Sequence, residues 1–362
     1  MRVGIVGTRG IPNYYGGFEQ FAQYLSEGLV KAGHEVFVYN SHEHPYQEKT
    51  WNGVNIIHCH DPENKVGTVG QFVYDLNCIL DCRKQNYDII LQLGYTSSSV
   101  WNWLFPKKVP IVTNMDGLEW RRSKYSKPVQ LFLKLAERLA VVFSDELIAD
   151  SKGIQAYLKE KYKKVSIYIP YGANAFDTPD ENVLKEYDLD SYAYDMLIAR
   201  LEPENSVEEI IDGFVASSVD RKLLVIGNTE TPLGKKLLDK CKDSRVKFVG
   251  YVSGIEKLDS LRYYSNLYFH GHTVGGTNPS LLEAMASQAL ICAQQNIFNQ
   301  AILGGDALYF NSVLEVKEII ESTTKSIADE KVLANLQKIS DTYSWKSIIR
   351  QYESFLKDCL NK

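Results

Sequence analysis

Two doubly wound α/β domains in one chain are predicted by three observations. Short aliphatic runs alternate with amphipathic helical stretches along most of the chain, the pattern of parallel strands joined by crossover helices. The alternation breaks once, over residues 172–192, where Asp, Pro and Asn replace it, and then resumes. The chain is 362 residues long, which suits two hydrophobic cores better than one.

The opening RVGIVG reads as a buried strand running into a glycine-bearing loop, TRGIPNYYGGFE. Phe18, Phe21, Leu25 and Leu29 then recur at helical spacing, and Gly33 ends the helix before the next strand, EVFVYN. VNIIHC, YDIILQLG, VPIVTN, DELIAD and VSIYIP continue the series, with helices predicted over 68–85 and 128–143. A first Rossmann-like domain is therefore expected over 1–171 and a connection with one helical turn over 172–192. A second domain over 193–344 follows from YDMLIARL, RKLLVIGN, RVKFVGY, NLYFHG, QALICA and ALYF. The end of the chain reads as helix, with Trp345, Ile348, Ile349, Tyr352, Phe355 and Leu356 on one stripe. Residues 345–362 are expected to return and brace the first domain.

Composition narrows the function classes. An aromatic content of 12% excludes a mainly disordered chain. The six cysteines form no CxxC pair, so neither a zinc ribbon nor a disulfide framework is expected, and Cys78 and Cys82 read as buried thiols. Asp188 and Asp190 fall in the connection with no strand before them, so no metal is assigned. The net charge of −5 argues against a nucleic-acid binder. Basic residues nevertheless bunch between Arg121 and Arg138, interleaved with Trp120, Leu131, Phe132 and Leu135. That segment is either a solvated helix face or a contact with an anionic membrane. No signal peptide or spanning segment is read, so a cytoplasmic protein is expected, with peripheral contact at the inner face of the membrane.

Open α/β sheets bind ligands beyond the carboxyl ends of their strands, and a cleft between two such domains is the expected site. Gly4, Gly7 and Gly10 do not make GxGxxG and no acid closes the second strand, which disfavours a dinucleotide cofactor. Gly16 and Gly17 precede a helix and are either a phosphate site or a tight turn. Gly275, Gly276 and Thr277 supply small residues and open amides before a helix that Asn278 caps and Pro279, Ser280 and Leu281 begin, and glycine loop and helix start together make an anion site. Glu283, one turn further, is either a surface glutamate or a partner for a ribose diol. Arg200 ends the strand MLIA, either to hold a departing diphosphate or to pair with Glu202 or Glu204. Asn228 and Thr229 end the next strand and read as a nucleotide-facing loop. Asp116 and Glu119 follow VPIVTN and are the acids best suited to grip a polyhydroxylated substrate.

With these residues in place, the chain resembles retaining glycosyltransferases of family 4, which have the GT-B fold of two Rossmann-like domains facing each other across a cleft. Within that family it is most similar to bacterial rhamnosyltransferases that elongate cell-wall or capsular saccharides. The resemblance runs from VGTRGIPNYYGGFE through DGLEWRR, ADSKGIQAYL, IPYGA and RLEPEN to GGTNPSLLEAMA. It implies that Gly16 and Gly17 lie beside the donor diphosphate, that Arg200 neutralises it and that Glu283 holds the ribose. Amides from Thr277 to Leu281 would serve the sugar and phosphate, and Asp116 resembles the aspartate that follows a histidine in many members. Glu19, Asp116 and Glu119 are expected on the acceptor side. Three positions depart from the family pattern: Met115 stands where a histidine is usual, Asn205 where a lysine is, and Gly275 where a glutamate is.

The expected activity is retaining transfer of L-rhamnose from dTDP-L-rhamnose to a lipid-diphosphate-linked saccharide, with Asp116 and Arg200 at the reacting centre and no metal or other cofactor. The alternatives are a UDP-dependent transferase of glucose, galactose or N-acetylglucosamine, and a non-catalytic nucleotide-binding module.

Overall fold

The first strand, β1 (Arg2–Val6), has four of its five residues buried, as a strand covered on both sheet faces requires. The computed structural model describes residues 1–14, 16–122, 125–274 and 276–361. Two compact units emerge: Met1–Tyr171 together with Trp345–Lys362, and Gly172–Ser344. Residues 172–192 pack into the second unit and contain one helical turn, Asn182–Lys185.

In the first unit β1 is followed by β2 (Glu35–Ser41), β3 (Thr50–Trp51), β4 (Val54–Cys59), β5 (Ile89–Leu93), β6 (Ile111–Asn114), β7 (Glu146–Ala149) and β8 (Ile167–Tyr168). Their spatial order is β3-β4-β2-β1-β5-β6-β7-β8. All pairs are parallel except β3 with β4, a hairpin turning at Asn52 and Gly53, both at positive φ. Such a turn suits Asn-Gly, and the sequence reading passed over it. Helix Gly17–Lys31 buries Phe21, Ala22, Leu25 and Leu29 and is released at Gly33, whose φ is 87°. The crossover from β5 to β6 uses a short 3-10 stretch, Ser99–Leu104.

Helix Trp345–Leu360 belongs to this unit. Tyr24 stacks on Trp345 at 4.7 Å, and Phe21 meets Tyr352 at 5.1 Å. Ile349 lies so close to Gly28 that a Cβ there would sit 2.4 Å from its Cδ1. Asn114, at the end of β6, donates to the Tyr352 hydroxyl at 3.0 Å, so the C-terminal helix supports a loop of the sheet's carboxyl edge.

The second unit holds β9 (Tyr194–Ile198), β10 (Lys222–Ile226), β11 (Val246–Gly250), β12 (Tyr268–His270), β13 (Ile291–Gln294) and β14 (Leu308–Phe310). All pairs are parallel, in the order β11-β10-β9-β12-β13-β14. One face of this sheet is sealed by Val207, Ile210, Ile211 and Phe214 with Val316 and Ile320.

Helix Lys127–Phe143 contains most of the basic segment and turns Leu133, Ala136, Ala140 and Val141 inward. Its sole acid, Glu137, is also buried and accepts from Trp120, Tyr157, Lys161 and Tyr162. The outward face carries Leu131, Val142 and Leu135, which are 67%, 64% and 51% exposed. Lys127, Lys134 and Arg138 flank them on one side, while Lys124 lies outside the described residues. No described helix is long and apolar enough to cross a membrane.

Candidate active site

In each sheet the strand order reverses direction once, between β1 and β5 in the first unit and between β9 and β12 in the second. Loops leaving the two strands at such a point diverge to opposite faces and leave a crevice at the carboxyl edge. Each unit has a cavity there, about 480 Å³ in the first and about 230 Å³ in the second.

The second unit's cavity is lined by Arg200 and Asn205 after β9, His270 and His272 at and after β12, and Asn278 and Ser280 at a helix start. Arg200 is exposed and makes no ion pair among the described residues. Its carbonyl accepts from Asn205 Nδ2 at 2.7 Å, which ties the loop to the strand end. Asn205 Oδ1 lies 2.5 Å from His272 Nδ1, joining the loops of the two central strands. Gly271 permits that approach, since a Cβ there would fall 2.0 Å from the Asn205 carbonyl oxygen. His270 is buried, its Nε2 has no hydrogen-bond partner among the described residues, and burial lowers its pKa to about 3, so the ring stays neutral at physiological pH.

Helix Pro279–Ala286 opens beside these groups, with Asn278 Oδ1 accepting from the Ser280 amide at 2.9 Å. Ser280 Oγ is 2.7 Å from the Tyr268 hydroxyl. Glu283 reaches inward: its Oε2 lies 2.6 Å from the buried Arg262, which also meets Asp259 at 2.6 Å. An exposed guanidinium, a helix amino terminus and a neutral imidazole together suit an anionic ligand with additional polar groups.

Of the residues read from sequence for this side, Arg200, Asn278 and Ser280 line the cavity. Leu281 is a core residue and Thr277 is buried. Gly276, Thr277 and Pro279 adjoin the cavity in sequence without lining it. Asn228 caps its own turn, accepting from the Glu230 amide at 2.9 Å, and neither it nor Thr229 lines the cavity. Gly275 lies outside the described residues.

The first unit's cavity brings together all three acids read as acceptor ligands, Glu19, Asp116 and Glu119. Glu19 is buried and accepts from the Arg9 amide at 2.8 Å and the Thr8 hydroxyl at 3.3 Å, so it holds the loop after β1. Arg9 in turn pairs with Asp61 at 2.8 Å and with Glu63. Gly7 starts this loop at φ 87°, where a Cβ would meet the Leu93 carbonyl oxygen at 2.2 Å. Asp116 has φ 47°, a left-handed conformation unusual for aspartate, and its amide donates to Asn114 Oδ1 at 3.0 Å. Met115 is buried in a hydrophobic cluster with Tyr95 and Leu118. Glu119 accepts from Arg122 at 2.8 Å and 2.7 Å. Gly16 and Gly17 form the start of helix Gly17–Lys31 and do not line this cavity.

Sequence reasoning missed Asp75, Ser97, His270 and His272. Asp75 sits on helix Gly70–Cys82 and is buried on the same side as Tyr74, Cys78, Ile79 and Cys82. Its signal was an acid on an apolar stripe. Ser97 Oγ donates to Asp75 Oδ2 at 2.5 Å, and burial raises the Asp75 pKa to about 6. The histidines end the run NLYFHGH at a strand's carboxyl edge, a position already singled out for Arg200. Among the described residues no group of three or more His, Cys, Asp or Glu is placed to hold a metal ion.

The fold is that of the GT-B glycosyltransferases. Sucrose-phosphate synthase from Thermosynechococcus elongatus superposes with a TM-score of 0.79 over 99% of each chain at 14% identity. HepE from Anabaena, solved with UDP and glucose, gives 0.76 over 99% of each chain at 15% identity. A glycosyltransferase from Rickettsia africae gives 0.71 at 14% identity, covering 100% of this chain and 98% of its own. A family model described as a domain of unknown function, DUF1972, matches residues 1–174. No curated protein matches the chain by sequence.

Proposed function

We propose that this protein is a glycosyltransferase that moves a hexosyl group from a nucleoside diphosphate sugar to a hydroxyl of a saccharide acceptor. The observation that carries the reading is a cavity at the switch point of each sheet, one suited to an anion and the other lined by carboxylates and aromatic rings. The second unit is the donor side. Arg200 and the start of helix Pro279–Ala286 stabilise the leaving diphosphate, and Glu283, oriented by Arg262, accepts from the ribose hydroxyls.

A UDP-hexose is the favoured donor, because HepE carries UDP and glucose on the same fold. Transfer of L-rhamnose from dTDP-L-rhamnose is the second reading, favoured by YGGFE, DGLEWRR and GGTNPSLLEAMA taken together. In either case the acceptor hydroxyl attacks the anomeric carbon on the face the diphosphate leaves. The carbon–oxygen bond to phosphate breaks, and the departing phosphate oxygen takes the hydroxyl proton, which retains the anomeric configuration. Asp116 and Glu119 align the acceptor. The outward face of helix Lys127–Phe143, apolar with three cations along one side, supports a lipid-linked acceptor approached at an anionic membrane.

The test is a donor panel: UDP-glucose, UDP-galactose, UDP-N-acetylglucosamine and dTDP-L-rhamnose, each with and without lipid-linked mono- and disaccharides, read by nucleotide release and product mass. Acceptor-dependent release with one donor is expected. Saturable nucleotide binding with no release under any condition would instead identify a non-catalytic module.

A further inference from the structure

The first unit's cavity has a polar floor and an apolar wall. The wall is formed by Phe18, Val69, Phe72, Val129, Phe132 and Leu133, with the Phe72 and Phe132 rings edge to face at 5.6 Å. On the floor, Glu19 is committed to the loop after β1 and Glu119 to Arg122. Asp75 differs from them. It is 7% exposed, it lines the cavity, Ser97 holds its Oδ2, and its Oδ1 accepts no hydrogen bond among the described residues.

A buried carboxylate with an unused oxygen is costly unless a ligand supplies donors, and a sugar diol supplies two. The Asp75 position is built rather than incidental. Gln92 Nε2 donates to Ser98 Oγ at 2.9 Å and to the Gly94 carbonyl at 3.1 Å, which shapes the loop that presents Ser97. The hydroxyl of Tyr74, the preceding residue, lies 2.9 Å from both the Thr8 and the Tyr39 carbonyl oxygens, which share its one proton, and it fixes the helix against β1 and β2.

We propose that Asp75 is a further hydroxyl-binding carboxylate of this cavity and that the ligand it serves is an amphiphilic glycoside, sugar on the floor and apolar portion along the Phe72–Phe132 wall. The inference rests on reading this cavity as the acceptor side. Arg9 and Asp61 face Asp75 from the β1 and β4 loops, and Glu19, Asp116 and Glu119 share the cavity. Because desolvation holds its pKa near 6, the carboxylate gains its charge, and its grip on hydroxyls, as pH rises through that value.

Calorimetric titration of the intact protein with octyl β-D-glucoside, octyl β-D-galactoside and octyl N-acetyl-β-D-glucosaminide below their micellar concentrations tests this, with octanol as the tail-only control. Saturable binding of at least one glycoside, stronger than octanol, is expected at pH 7.5. It should weaken at least tenfold in Asp75→Asn and fall in the wild type between pH 7 and 5. Ser97→Ala keeps the carboxylate but removes the hydrogen bond that favours its charged form, so the pH midpoint should move upward, which a merely structural serine would not cause. Failure of all three glycosides to bind, equal binding by folded Asp75→Asn, or an unmoved midpoint in Ser97→Ala each overturns the proposal. Binding of UDP and of dTDP, measured on the same samples, reports the donor side separately: binding of neither by the wild type would refute the transferase reading and leave the glycoside result standing.

Discussion

Replacing Asp75 with Asn should make the protein more stable at neutral pH. Burial raises this carboxyl from 3.8 to about 6, against the opposing pull of the Ser97 hydrogen bond and of Arg9, with Asp61 adding to the rise. A folded pKa above the unfolded one means that the fold favours the protonated group. The stabilising contribution is therefore whole below about pH 3.8 and is lost as pH climbs through 6. Two pKa units at about 1.4 kcal/mol each give roughly 3 kcal/mol of destabilisation by the ionised group at pH 8. Asparagine has no charge to desolvate and still offers an oxygen to Ser97. For a unit of this size each kcal/mol moves Tm by about 2–4 °C, so Asp75→Asn should gain up to roughly 10 °C at pH 8. The gain should shrink towards zero near pH 4. Scanning calorimetry of both proteins at half-unit intervals from pH 4 to 8 measures it. A difference that does not vary with pH, or a variant less stable throughout, would refute the reasoning. A site that binds better with a residue that folds worse is the expected trade between function and stability.

Other perturbations separate structural from chemical roles. Arg200→Ala should cut transfer by about 100-fold or more with Tm unchanged, because the side chain is exposed and unpaired among the described residues; full turnover in the transfer assay would remove Arg200 from the mechanism. Arg262→Leu should leave the half-buried Asp259 and Glu283 without the buried cation between them and cost about 3 kcal/mol, read by urea unfolding. Gly7→Ala should cost several kcal/mol, since the residue combines φ 87° with a Cβ position 2.2 Å from the Leu93 carbonyl oxygen; a soluble variant of wild-type Tm would contradict the close approach. Changing Lys127, Lys134 and Arg138 to Glu should abolish co-sedimentation with anionic vesicles and leave transfer to a water-soluble acceptor intact; a wild-type protein that stays in the supernatant rules out the membrane surface.

Much of this molecule is legible along the chain because the signals are local. RVGIV, IILQL and KLLVI read as strands because a sheet covered on both faces buries nearly every residue of so short a run. Gly33 ends a helix because the backbone turns left-handed there. Arg200, Asn278 and Ser280 were visible as polar residues placed at strand ends and helix starts. What the chain could not disclose is which strand ends adjoin. Asp75 and Ser97 are 22 residues apart and meet only because β5 lies beside β1, with helix Gly70–Cys82 laid over them. Asn205 and His272 are joined because β12 lies beside β9. Strand order is decided by which apolar faces pack together, a property of the assembled sheet, so the residues that share a cavity at its edge are chosen by the tertiary structure.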